Sequence, residues 1–129
     1  MFTHVNVLTR EIIGAAIEVH RHLGPGLLES AYQQCLAKEL QLRGIPYQSE
    51  WPLPLEYKGL RLNCGYRIDI LVNNAVVVEI KSVEAIAPVH EAQLMTYMRI
   101  GGWQVGLLIN FNVLALKMGI RRKVLGFEG

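Results

Sequence analysis

The chain has 129 residues, of which 51% are hydrophobic and 19% are charged, so it has the size of one domain and can bury a substantial core. Its 13 Lys and Arg nearly balance its 11 Asp and Glu, and this charge does not demand an anionic partner. No apolar run approaches the ~18 residues of a membrane span. We therefore expect no membrane span and no signal peptide, and interpret residues 1–129 as a single cytoplasmic domain.

The first part of the chain predicts two helices. Thr9 fits the N-cap of the first, in which apolar residues recur at helical spacing until Gly24-Pro25-Gly26 ends it. The second begins near Leu28, carries apolar side chains along one face, and ends by Gly44. Both patterns are typical of helices that pack one face on a core.

From residue 47 onward the apolar residues alternate with polar ones, which predicts strands. These cover residues 47–53, 60–64, 66–72 and 76–81, with a turn at Lys58-Gly59. Pro88 suits the first turn of a third helix, which ends at Gly101-Gly102, and strands at 104–110 and 120–125 follow. With three or four strands before the third helix, the order is α-α-β-β-β-α-β(-β). The early hairpins predict an α/β (α+β) fold with a mixed β-sheet flanked by helices.

Two consecutive β-branched runs predict a hairpin, and its register decides where the charged residues point. A three-residue loop, with Asn74 or Ala75 near the left-handed region, places Val72 opposite Val76 and Asp69 opposite Glu79. A two-residue turn would point Asp69 to the same face as the apolar side chains, so we choose the three-residue loop. The charged face then carries Arg67, Asp69, Glu79 and Lys81, and the apolar face carries Ile68, Ile70, Val72, Val76, Val78 and Ile80.

Asp69 and Glu79 are therefore predicted to lie side by side in an otherwise apolar sheet. Two carboxylates at opposite positions on neighbouring strands repel each other, and desolvation raises the cost of keeping both ionised. Mg²⁺ would relieve this repulsion, because it accepts carboxylates, waters and phosphate oxygens as ligands. Lys81 projects from the same face, where it could hold or activate a water. A solvated surface ion cluster explains the same spacing, and both interpretations stay open.

Three segments of the chain resemble a known family. Asp69 followed by Glu79-Ile80-Lys81 resembles the D-x(n)-ExK signature of the PD-(D/E)XK nuclease superfamily, which has the restriction-endonuclease-like fold. Residues 26–32 match the motif of the GxxExxY proteins of that superfamily, and residues 90–97 resemble their third helix. The similarity covers residues 12–122, although Ile68 stands where the superfamily often has a proline.

The resemblance implies a role for each residue of the signature. Asp69 and Glu79, together with the carbonyl of Ile80, would hold Mg²⁺ or Mn²⁺. Lys81 would be the catalytic lysine, which positions water for in-line attack on a phosphodiester.

Glu29 and Gln93 would extend this site. Glu29 matches an additional helical acid beside the metal, but a carboxylate at a helix N-terminus is also explained by the helix dipole. Gln93 matches a glutamine on the helix after the ExK strand. It lies in the stripe Val89, Ala92, Gln93, Thr96, Tyr97 and Ile100. A polar side chain in such a stripe needs a hydrogen-bond partner, which a purely structural role would also satisfy.

Further residues are weaker candidates. Those that could line the site are Tyr32, His20, His90 and Tyr97, each of which is also explained by packing. Those that could contact phosphates are Arg67 and the cluster Arg121, Arg122 and Lys123, for which a solvated edge is the alternative.

Other chemistries lack a signal in this sequence. Cys35 and Cys64 form neither a disulfide framework nor a CxxC zinc site, and no Walker loop or GxGxxG motif predicts a nucleotide cofactor. The resemblance implies a divalent-metal-dependent deoxyribonuclease, with a homodimer to enlarge the DNA-binding surface. Since the sequence shows no recognition helix and no RNP-like aromatic pair, we expect its sequence specificity to be low. The alternative is a catalytically silent module of the same fold that binds nucleic acid or a protein partner.

Overall fold

A computed structural model describes the backbone of residues 2–126 and the side chains of residues 4–126. The helices are α1 (Phe2–Leu23), α2 (Glu29–Leu42) and α3 (Pro88–Gly101), and a short 3-10 helix covers Leu116–Gly119. The strands are β1 (Tyr47–Pro52), β2 (Leu55–Tyr57), β3 (Leu60–Leu62), β4 (Arg67–Val72), β5 (Val76–Lys81), β6 (Val105–Asn110) and β7 (Ile120–Val124). The order of helices and strands agrees with the predicted class.

The main sheet is mixed, as predicted. Its strands lie in the order β1-β4-β5-β6-β7, and all neighbours are antiparallel except β5 and β6. The chain crosses from β5 to the parallel β6 through α3, because parallel neighbours cannot be joined by a tight hairpin. The segment between β1 and β4 forms a separate β2–β3 hairpin, so it contains one strand more than predicted.

Helices cover both faces of the sheet. One face packs against α1 and α2 and buries a core that includes Ile12, Leu36, Leu40, Val78 and Leu107. The opposite face packs against α3 and buries a second core that includes Ile68, Val77, Leu94, Met98 and Leu108. Because β5 and β6 are covered on both faces, their sequences are nearly continuous apolar runs, with Glu79 and the terminal Lys81 of β5 as charged exceptions.

The helix boundaries differ from the prediction at one end. Helix α1 begins before Thr9, whose hydroxyl donates to the carbonyls of Val5 and Asn6 within the helix, at 3.1 and 3.0 Å. Thr9 is therefore not an N-cap, because its side chain bonds backward to the preceding turn. The predicted boundaries of α2 and α3 are confirmed, and α3 ends at Gly102 in the left-handed conformation.

The hairpin between β4 and β5 has the predicted three-residue loop. Val72 lies opposite Val76, and both Asn73 and Asn74 adopt the left-handed conformation. One detail of the predicted faces is wrong. Ile68 packs in the core under α3, whereas Ile70 packs under α1 and α2, so the regular alternation is broken between them. The break lies at Asp69, where the regular β4–β5 pairing has ended.

Within residues 2–126, no helix combines the length and the apolar character that a membrane crossing requires.

Candidate active site

Asp69 and Glu79 lie where the two central strands separate. The backbone N–H of Asp69 donates to Oε2 of Glu79 at 3.0 Å, and the backbone N–H of Ile80 donates to Oδ2 of Asp69 at 2.8 Å. Each carboxylate thus accepts a bond from the opposite strand beyond the last regular pair, Ile70–Val78. These reciprocal bonds hold the two carboxylates side by side, and we call them the carboxylate pair.

Burial makes this pair unusual electrostatically. Glu79 is 4% exposed, and burial together with the negative charge of Asp69 raises its pKa from 4.5 to about 8. Burial also raises the pKa of Asp69, against the lowering effect of its bond from Ile80 and of the Lys81 charge. The pair therefore retains a proton at pH values where ordinary carboxyl groups have lost theirs.

Lys81 and Gln93 lie at the same end of β5. The half-buried Lys81 ammonium donates to Oε1 of Gln93 at 3.5 Å, and the Gln93 amide donates to the hydroxyl of Tyr97 at 3.3 Å. Burial and the charge of Glu79 raise the pKa of Tyr97, which places this ring near the carboxylate pair. Gln93 thus has the polar partners that its position in an apolar stripe requires.

Glu29 reaches the site from the start of α2. Its Oε2 accepts from the backbone N–H of Ser82 at 3.3 Å, directly after Lys81 in the chain. The Ser82 hydroxyl donates to the carbonyl of Leu27 at 2.6 Å, which ties the end of β5 to the segment before α2. The negative charge of Glu29 contributes to the raised pKa of Asp69, so the four predicted residues Glu29, Asp69, Glu79 and Lys81 share one region.

Two residues near the pair were missed by the sequence analysis. The Gln33 amide donates to Oε2 of Glu50 at 2.7 Å and to the backbone carbonyl of Asp69 at 3.2 Å. Gln33 lies one helical turn after Glu29, and this spacing could have identified it. Glu50 adopts a left-handed backbone conformation on β1, and its charge helps to raise the pKa of both members of the pair. No sequence signal connects Glu50 to the carboxylate pair.

Asn110 is a third missed residue and supports the end of β5. It is buried, its Oδ1 accepts from the backbone N–H of Val83, and its amide donates to the carbonyl of Val83, both at 3.0 Å. A buried amide with both its groups bonded to one residue fixes the path of that segment. Asn110 therefore positions the backbone that follows Lys81.

The weaker aromatic candidates make structural contacts. The Tyr32 hydroxyl donates to the carbonyl of Gly24 at 2.5 Å and accepts from the N–H of Leu27, while its ring stacks on Phe111. This tyrosine therefore closes the loop that presents Glu29. Among the described residues it has no hydrogen bond to the carboxylate pair.

The two histidines lie elsewhere. His20 is buried, with Nε2 at 2.8 Å from the carbonyl of Val113. Nδ1 of His90 accepts from the N–H of Ala87 at 2.9 Å and thereby caps α3. In the described part of the chain, neither imidazole bonds to the pair.

The basic cluster on β7 is divided by the strand. Arg121 and Lys123 contact Glu91 on α3, the first at 3.8 Å, whereas Arg122 donates to Asn6 on α1 at 2.9 Å. Successive side chains of a strand point to opposite faces, so these cations cannot act as one patch. The prediction of a single cluster is therefore wrong in its geometry. Arg67 is exposed at the start of β4.

The chemistry of the pair fits a hard divalent cation. The hydrogen bonds that join the pair use Oδ2 of Asp69 and Oε2 of Glu79, so the second oxygen of each group is not used in them. Mg²⁺ is commonly held by one or two carboxylates and completes its ligands with waters and phosphate oxygens. Among the described residues no group of three or more His, Cys, Asp or Glu forms a metal-binding arrangement. The donor set is therefore two carboxylates and the adjacent backbone.

Comparison with known proteins identifies the family. No curated protein and no solved structure matched the chain. A family model described as the PD-(D/E)XK nuclease superfamily matches residues 6–123, a segment that includes Glu29, the carboxylate pair, Lys81 and Gln93. The architecture, a mixed sheet between helices, is consistent with the restriction-endonuclease-like fold. The chain belongs to the PD-(D/E)XK nuclease superfamily.

Proposed function

We propose that the protein is a divalent-metal-dependent nuclease that hydrolyses DNA phosphodiester bonds with low sequence specificity. Membership of the superfamily suggests nuclease activity. The observation that carries the proposal is the carboxylate pair, two acids held together in a largely apolar sheet. Such a pair destabilises the metal-free protein at neutral pH, and a cation would offset that cost.

Each residue of the site has a proposed role. Asp69, Glu79 and the carbonyl of Ile80 would hold Mg²⁺ or Mn²⁺, which supplies Lewis-acid stabilisation of charge on the scissile phosphate. Lys81 would orient the attacking water and oppose the negative charge that develops as the 3′-oxygen leaves. Gln93 would hold the Lys81 ammonium in place through the hydrogen bond between them.

Glu29 is proposed as an acid at the margin of the site. Its recorded bond to the N–H of Ser82 supports a positioning role for the end of β5, and its charge adds to the negative potential around the metal ligands. The motif that contains Glu29 and Tyr32 supports a place among the GxxExxY proteins, which remains a proposal.

Low sequence specificity follows from the substrate contacts that we propose. Arg67, together with cations of β7, would contact phosphates, which fix position without reading sequence. The sequence contains no recognition-helix or RNP-like aromatic signature that would favour base readout. A homodimer would enlarge the DNA-binding surface and is part of the same proposal.

The test is a cleavage assay on linear, supercoiled, branched and single-stranded DNA and on RNA, each with Mg²⁺, Mn²⁺ or EDTA. Lys81→Ala is compared with Lys38→Ala, which removes an exposed lysine of α2. We expect metal-dependent cleavage that falls at least ~100-fold in Lys81→Ala and is unchanged in Lys38→Ala.

Two outcomes would contradict the proposal. Cleavage of equal rate in both variants would show that Lys81 has no catalytic role. Folded protein that binds nucleic acid but cleaves none of the substrates would favour the catalytically silent module of the same fold.

A further inference from the structure

Helix α3 has an apolar face that the sheet does not cover. Leu94 and Met98 are buried against the sheet, whereas Val89 and Ile100 are 67% and 41% exposed. The stripe that the sequence suggests around Gln93 is therefore not the main buried face of the helix. An amphipathic helix that keeps a second apolar stripe in solvent gains nothing from it in the free protein.

This stripe forms one wall of a groove, which we call the α3 groove. The opposite wall comes from β2 and from Tyr66, the residue before β4. Its principal lining residues are Leu55, Tyr66, Val89, Gln93, Tyr97 and Ile100. The cavity measures about 340 Å³, which lies within the ~300–1,000 Å³ range of small-molecule pockets.

The groove adjoins the proposed active site. Gln93 lines the groove and also accepts a hydrogen bond from Lys81, so one side chain belongs to both. Tyr97 lines the groove as well, and the charge of Glu79 contributes to its raised pKa. Whatever occupies the groove therefore lies beside the residues that we propose to contact the scissile phosphate.

Aromatic and polar groups in the groove define the chemistry of its occupant. Tyr66 is 44% exposed, and its ring meets the ring of Tyr97 edge-on, with centroids 6.2 Å apart. The amide of Gln93 and the hydroxyl of Tyr97 provide polar edges, and the Lys81 ammonium, which donates to Gln93, is a cation at the edge of the groove. A flat apolar surface, hydrogen-bonding edges and a nearby cation together suit a nucleotide whose base is unstacked.

We infer that the α3 groove binds an unpaired nucleobase next to the scissile phosphate. The substrate is then a single-stranded nucleic acid, or a branched nucleic acid that is cleaved at its unpaired nucleotides. Bases inside an intact duplex are stacked and cannot enter such a groove unless they are extruded. This inference rests on the proposed function and specifies its substrate.

Binding in EDTA tests the inference separately from cleavage. Fluorescence anisotropy is measured with a labelled 12-nucleotide oligothymidylate and with an abasic oligonucleotide of the same phosphate count. Tyr66→Ala is compared with Tyr66→Phe, which keeps the ring, and with Tyr57→Ala, which removes an exposed tyrosine of β2 outside the groove.

We expect Tyr66→Ala to weaken oligothymidylate binding about tenfold, because a base loses its stacking partner. Tyr66→Phe and Tyr57→Ala should change the affinity less than about twofold, and the abasic oligonucleotide should bind all four proteins equally.

An equal loss on both oligonucleotides, or no loss in Tyr66→Ala, would overturn the inference. A change of oligomeric state in Tyr66→Ala, measured by light scattering, would also overturn it in favour of a second copy covering the groove. Cleavage that fails while base-dependent binding persists would refute the proposed function and leave the groove assignment standing.

Discussion

The carboxyl group of Glu79 lies in surroundings that oppose its own ionisation. It is buried beside Asp69, and its pKa is raised from 4.5 to about 8. The pKa of Asp69 is raised for the same main reason, burial. Between pH 4.5 and about 8 the folded protein binds more protons than the unfolded chain. Its free energy of unfolding therefore falls as the pH rises through this range.

The raised pKa of Glu79 leads to a prediction for the metal-free protein. In EDTA, the free energy of unfolding should decrease between pH 4.5 and 8 by up to about 1.4 kcal/mol per pH unit for each carboxyl that retains its proton. Urea denaturation at pH 5, 6.5 and 8 measures the slope. Glu79→Gln removes the titrating group but keeps an oxygen acceptor for the Asp69 N–H, so its slope should be shallower.

The control for this measurement is Glu11→Gln, which changes an exposed acid of α1. It should retain the slope of the unmodified protein, because this substitution leaves the carboxylate pair unchanged. If Glu79→Gln and Glu11→Gln gave the same slope, the pair would not be responsible for the pH dependence.

Metal binding at the pair should show the opposite pH trend. Mn²⁺ or Mg²⁺ must displace the retained proton, so the rise in melting temperature on adding the cation should be larger at pH 8 than at pH 5.5. At a concentration 100 times Kd the stabilisation would be about 2.7 kcal/mol. Differential scanning fluorimetry measures the shift, which should be lost in Asp69→Asn. A shift that Asp69→Asn retains would place the cation elsewhere.

The segment after β5 shows how an element can be held by residues distant in sequence. Strand β5 carries Glu79 and Lys81, and its continuation is bonded to Leu27 and Glu29 through Ser82 and to Asn110 through Val83. These bonds join the start of α2, the end of β5 and the end of β6. The position of the lysine therefore depends on three elements at once.

Asn110 provides a test at this scale. Asn110→Ala would leave the N–H of Val83 without its side-chain partner, at a cost of about 1–3 kcal/mol if that group finds no replacement. The carbonyl of Val83 would keep only the longer bond from the Asn112 amide, at 3.3 Å. We expect reduced stability in denaturant and faster amide hydrogen exchange at Val83. Asn63→Ala, at an exposed position before β4, should change stability by less than about 0.5 kcal/mol. Unchanged exchange at Val83 in Asn110→Ala would refute this role.

At the scale of the whole molecule, the distribution of charge matters more than its sum. The net charge is only +2, and two of the cations on β7 are compensated by Glu91. Hydrogen bonding to Lys123 lowers the pKa of Glu91, so this acid is ionised at neutral pH. Arg67, by contrast, is exposed at the start of β4.

This distribution predicts the salt dependence of DNA binding. Arg67→Gln should reduce the slope of log Kd against log salt concentration by about 1, because one phosphate contact is lost. Lys123→Gln should change the slope less, and Glu91→Gln should strengthen binding by releasing two cations. Anisotropy titrations from low to high salt measure these slopes. Equal slopes for Arg67→Gln and the unmodified protein would exclude Arg67 from the phosphate contacts.

Local patterns were sufficient to predict much of the fold. The ends of α2 and α3, the three-residue loop before β5 and the mixed sheet depend on Gly and Pro positions and on hydrophobic spacing, which act over a few residues. The resemblance to the superfamily was also visible in the sequence and is confirmed by the family match. The prediction that Thr9 caps the start of α1 is wrong, because a Thr hydroxyl can either cap a helix or bond backward within one.

The sequence by itself determined the strands that carry Asp69, Glu79 and Lys81, because period-two alternation and the hairpin loop decide which side chains are neighbours. Only the tertiary structure decided the rest of the surroundings. It brought Gln33 and Glu50 to the pair, divided the cations of β7 between two faces, and left one apolar stripe of α3 open. These relations depend on how separate elements pack, and no local spacing records that packing.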